Sequence, residues 1–133
     1  MQMFIRFVCS NIVDGTNARA GFFQPAYELR DDNELDQYTS ERLEDLLAWF
    51  RLNLAIPDKF NRSNSKGAWR RDTKGLSWYK SSAEEALRKS FELVSLLEEN
   101  GYKIEMLRST RIGYVVFEDD SQVIAEPFSD TPT

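Results

Sequence analysis

The side chains best suited to act on another molecule crowd into positions 59–80. Lys59, Arg62, Lys66, Arg70, Arg71, Lys74 and Lys80 stand there against one acid, Asp72, a net of +6. The rest of the chain has ten basic and twenty-one acidic residues, a net of −11. Phe60, Trp69, Trp78 and Tyr79 interleave with the cations. Cations neutralise phosphates and rings stack on bases, so this pattern suits single-stranded nucleic acid. Trp and Arg are also the residues that anchor protein interfaces, so it equally suits a protein partner with an acidic surface. A plainer reading stays open: a solvated loop on the protein's own acidic surface, with its Trp residues at the edge of the core. The overall charge of −5 works against nucleic acid. The expected contact residues are therefore those of a protein interface: Arg62, Lys66, Trp69, Arg70, Arg71, Lys74, Trp78 and Lys80.

Other constellations are weaker. Lys80-Ser81-Ser82 opens a helix, where free N–H groups bind anions, but no Gly-rich loop precedes it and capping by Ser81 or Ser82 suffices. Glu118, Asp119, Asp120 and Glu126 gather carboxylates around a hairpin; these could serve Mg²⁺ or Ca²⁺, yet the spacing matches no EF-hand loop. Hairpin turns use Asp on their own account. Cys9 shares an alternating face with Met3, Ile5 and Phe7 and reads as a buried, inert thiol. Gly113, inside a strand, marks a bulge or a close backbone approach. The chain has no histidine, which excludes His-based acid–base catalysis, Ser–His and Cys–His nucleophile pairs and the usual zinc sites. No cofactor is implied.

The elements that must position these residues follow from periodicity. Met3 to Cys9 alternates as an internal strand, with Phe4, Arg6 and Val8 on its second face. Asp14-Gly15-Thr16-Asn17 is a turn. A short helix spans Gly21 to Asp31 with Pro25 early in it. Leu43, Leu46, Leu47, Phe50 and Leu54 form the stripe of a helix from about Thr39 to Leu54, capped by Thr39 or Ser40 and stopped by Pro57. Residues 58–75 form a long basic loop, and Leu76 to Tyr79 a short strand. Ser82 and Glu85 match a capping box for the clearest helix, whose buried stripe reads Ala83, Ala86, Leu87, Ser90, Phe91, Val94 and Leu97, widened by Leu93 and Leu96. Asn100-Gly101 ends it. Strands then cover Tyr102 to Leu107, Ile112 to Phe117 (apolar on both faces, so central) and Gln122 to Phe128, whose Pro127 suggests an edge. Residues 129–133 are a frayed tail.

The whole is one α+β domain over residues 1–133. Its expected architecture is two layers: a mixed, mostly antiparallel sheet of 4–5 strands with about three helices on one face. The last three strands make a meander, and the segment Leu76 to Leu107 is a crossover that adds a parallel pair. At 133 residues, 41% hydrophobic and 13% aromatic, the chain can fill one core. No run approaches the roughly 18 apolar residues of a membrane span, and the strand that carries Arg6 is no signal peptide. A single cysteine closes no intramolecular disulfide and fits a reducing cytosol. An uncovered edge strand would allow a homodimer.

Leu76-Ser77-Trp78-Tyr79-Lys80, the stretch Gly113-Tyr114-Val115-Val116-Phe117-Glu118-Asp119, Gln122-Val123 and Ala125-Glu126-Pro127-Phe128 resemble a family of small uncharacterised bacterial proteins with a GYVVFEDDSQVIAEPF-like hairpin. Gly21-Phe22-Phe23-Gln24 and Trp49-Phe50 are similar to it as well, so the resemblance covers most of the chain. It implies a bacterial origin, mobile elements being one source, and no particular activity. The expected function is thus a non-catalytic interaction or regulatory domain that meets a protein through 59–80. Single-stranded nucleic-acid binding by the same segment is the first alternative, and a carboxylate enzyme with a metal the second.

Overall fold

Phe4–Ile12 (β1) is long and apolar on both faces at its start, and it becomes the strand around which the sheet is built. The structure, a computed structural model, describes residues 2–12, 18–54 and 75–133. The further elements are Arg19–Gly21 (β2), Phe23–Arg30 (α1), Gln37–Asn53 (α2), Leu76–Lys80 (β3), Glu84–Glu99 (α3), Glu105–Ser109 (β4), Tyr114–Glu118 (β5) and Gln122–Glu126 (β6). Three helices and a six-stranded sheet make an α+β fold. The expected turn at 14–17, the stop at Pro57 and the loop up to Lys74 lie outside the described residues.

Every strand pairing is antiparallel. Phe4 and Ile5 pair with Lys80 and Tyr79 on one side and with Ser109 and Arg108 on the other, so β3 and β4 flank β1. Val8 pairs with both Gly21 and Glu105, which puts β2 opposite β4 and on the same edge as β3. β1 therefore exchanges β3 for β2 along one edge. β6 lies between β3 and β5.

This arrangement corrects three expectations. The β3–α3–β4 crossover does not make a parallel pair, because β1 is inserted between its two strands. The last three strands do not form a meander: β4 leaves the hairpin and pairs with β1. The central and edge roles at the C-terminal hairpin are reversed. β6 is buried at every residue, whereas β5 is an outer strand with Tyr114 57% and Val115 51% exposed. Pro127 stands one residue past β6 and so interrupts no ladder bond.

The helices cover the Ile5 and Phe7 face. Leu43, Leu47, Leu93, Leu96 and Leu97 meet Phe7, Phe22 and Tyr79 there. Phe7 stacks on Phe22 with ring centres 5.2 Å apart, and Phe50 meets Phe22 and Phe23 edge-on. The α3 stripe is rotated from the expected one: Leu93 and Leu96 are fully buried, while Phe91 is 49% exposed and meets the Phe7 ring edge-on. Both expected caps also differ. Asp36 caps α2 by accepting from the Thr39 amide, so the helix starts earlier than expected. α3 begins after Ala83 with no side-chain cap, and the Ser82–Glu85 box does not form.

The opposite face of the sheet carries a second, smaller core of Val8, Leu76, Trp78, Leu107, Ile112, Val123 and Ala125. Burial on both sides explains why β6 alternates so little. Residues 129–133, expected to fray, are tied down. Thr131 Oγ1 accepts from the Phe128 amide and donates to Arg111 O, and the Arg19 amide donates to Thr133 O. Arg111 pairs with Asp130 and lies 4.3 Å over the Phe128 ring. Gly113 has φ +125°, and a Cβ there would stand 1.8 Å from Glu126 O. The expected close approach is real and admits only glycine.

Candidate functional site

Of the eight expected contact residues, Arg62, Lys66, Trp69, Arg70, Arg71 and Lys74 lie outside the described residues. The other two sit on β3 and are used within the fold. Trp78, facing Val123 across the ladder, is 1% exposed and is the largest side chain buried so completely among the described residues. It offers no ring face to a partner. Lys80 Nζ lies 2.7 Å from Glu118 Oε2, and its amide donates to Ser121 O. These two residues anchor the point at which the basic segment joins the sheet.

The acidic set is not brought together. Glu118 is engaged by Lys80. Asp119 Oδ1 accepts from the Ser121 and Gln122 amides and shapes the hairpin turn. Glu126 is buried at the far end of β6, opposite Tyr114. Among the described residues no three His, Cys, Asp or Glu side chains are grouped to hold a metal. At the start of α3, Glu84 and Glu85 occupy the first turn, so their own carboxylates complement the helix dipole there. Cys9 is buried and its thiol reaches Gln24 Oε1 at 3.7 Å.

One group that sequence reasoning passed over stands out. Arg6 is 5% exposed, on the face of β1 away from the helices. Its Nη2 donates to Arg19 O at 2.7 Å, and its Nη1 finds no acceptor among the described residues. Burial, and then the neighbouring Arg19 cation, pull its pKa down from 12.5 to about 10. Arg19 itself pairs with Glu105. The signal in the sequence was a lone Arg inside an apolar strand, which reads as an outward residue unless both faces are buried. A second titratable group is Tyr79, whose phenol burial pushes up to about 12, with the Ser90 hydroxyl partly opposing.

No helix among the described residues is long and apolar enough to cross a membrane. Set against family models, curated proteins and solved structures, the chain matches none of them.

Proposed function

We propose that the chain is a non-catalytic interaction domain that binds an acidic protein surface through residues 59–74. The observation that carries this is the segregation of charge, +6 over residues 59–80 against −11 elsewhere, with aromatic residues among the cations. Trp78 and Lys80 serve as anchors in the sheet, so the proposed contact set is Arg62, Lys66, Trp69, Arg70, Arg71 and Lys74. The single, buried cysteine suits a reducing cytoplasm.

The test is affinity capture of the tagged chain from a bacterial lysate at two salt concentrations, with and without nuclease, beside Arg70→Glu/Arg71→Glu. A protein that survives nuclease and is lost with the double variant supports the reading. Recovery of nucleic acid that disappears at the higher salt moves the segment to single-stranded nucleic-acid binding. An identical set of captured proteins with both chains refutes the surface assignment.

A further inference from the structure

Two buried hydrogen-bond donors on the face of the sheet away from the helices find no acceptor among the described residues. They are Nη1 of Arg6 and Nε1 of Trp78, on side chains 5% and 1% exposed. Register makes them neighbours. β1 and β3 pair Phe4 with Lys80 and Ile5 with Tyr79, and the next residue on each strand is Arg6 and Trp78. The ladder stops there, because β1 takes β2 as its partner on this edge from Val8 onward. Arg19 is near enough to depress the Arg6 pKa, and its own guanidinium is paired with Glu105. Among the described residues no carboxylate forms an ion pair with Arg6.

We propose that this break in the ladder binds a small oxyanion, a phosphate, sulfate or carboxylate group held between Arg6 Nη1 and Trp78 Nε1. The chemistry of the two groups selects the class. An indole nitrogen only donates, and a guanidinium only donates and keeps its charge. A cation would leave both unmet, and a neutral acceptor would satisfy the hydrogen bonds without compensating the buried charge. An oxyanion does both, since its oxygens can accept from the two donors at once and charge-assisted bonds are the strong ones. The site lies on the side of the sheet away from the helices and stands or falls independently of any partner of residues 59–74.

The experiment titrates the full chain with inorganic phosphate, sulfate and acetate in a chloride buffer of constant ionic strength, up to about 10 mM, below the range of general salting effects. Two quantities are read: the melting temperature, and the indole N–H resonance of Trp78 in ¹⁵N-labelled protein, assigned with Trp78→Phe. The expected result is a saturable rise in melting temperature with at least one anion, and an indole shift with the same midpoint. Both responses vanish in Arg6→Met, which removes the charged head and keeps an unbranched apolar stem. Arg6→Lys keeps a charge but loses the planar fork, and is expected to weaken the midpoint by about tenfold. Response to phosphate and sulfate alone marks a tetrahedral ligand; response to acetate marks a carboxylate. A fixed indole resonance, with wild type and Arg6→Met responding alike to all three anions, overturns the proposal and assigns the donors to a bridging water.

Discussion

Replacing Arg6 by methionine tests the cost of the buried cation directly. Arg6 lies in the second core with one donor unmet and another cation beside it. A fall of its pKa from 12.5 to about 10 corresponds to about 3 kcal/mol against the charged form. Methionine keeps an unbranched apolar stem, lacks the guanidinium head and has no charge to desolvate. It also gives up the 2.7 Å bond to Arg19 O, a charge-assisted bond of about 1.5–3 kcal/mol, and leaves that carbonyl without this donor. The difference favours Arg6→Met by about 1 kcal/mol in chloride buffer, or about 3–5 °C for a domain of this size. Reversible urea unfolding followed by circular dichroism measures it. The folded-state pKa is depressed, so the native state binds the proton less well than the unfolded state. The penalty is therefore present in full below pH 10 and fades as pH rises from 10 toward 12.5. The advantage of Arg6→Met is expected to be flat from pH 6 to 9 and to shrink above 10. A variant that is less stable than wild type by more than about 1 kcal/mol refutes the reasoning, because the cation would then contribute net stability.

Gly113→Ala is expected to cost more than about 3 kcal/mol, since its Cβ would stand 1.8 Å from Glu126 O at a φ of +125°; differential scanning fluorimetry and soluble yield check it. Tyr79 holds its proton to about 12 because it is buried, so its folded pKa lies above the unfolded 10 and its contribution is lost as pH climbs from 10 toward 12. Absorbance at the phenolate band should show one tyrosine that ionises last, and Tyr79→Phe should remove that step. Thr131→Val deletes the hydroxyl that links Phe128 to Arg111 O, and hydrogen exchange should accelerate at the Phe128 amide with little change at Leu93. Lys80→Met is expected to cost about 1 kcal/mol, since Glu118 is half exposed and water screens the pair even though the Lys80 side chain is only 15% exposed; a larger loss would show that the β3 junction depends on it.

The helices were legible because their signals are local. The α2 stripe of Leu43, Leu46, Leu47 and Phe50 is buried as its spacing predicts. Caps were read less well: Asp36 outranks Thr39 and Ser40 because the helix begins before its apolar stripe does. Strand order was not legible, because it is decided by which edges are free. Tyr114 to Phe117 looks central by composition, yet β6 takes the inner place and leaves Tyr114 and Val115 outside. The three-residue β2 has too few positions to show any period. Gly113 was readable because a glycine between β-formers already implies a backbone contact. Arg6 was not, because alternation shows that one face is apolar without showing that the other is covered as well. Of the basic aromatic segment, the sequence shows the charge, and the sheet shows that Trp78 is buried in the second core and that Lys80 pairs with Glu118.

The position of β1 has a consequence for biosynthesis. Phe4 finds its partners at Lys80 and Ser109, so the strand leaves the ribosome about one hundred residues before its second neighbour exists. At about 5–20 residues per second, that is a delay of roughly 5–20 s during which the β4 edge of an apolar strand stays unsatisfied. The nascent chain is therefore expected to engage a ribosome-associated chaperone through Phe4–Ile12, and products truncated before β4 are expected to aggregate or be degraded.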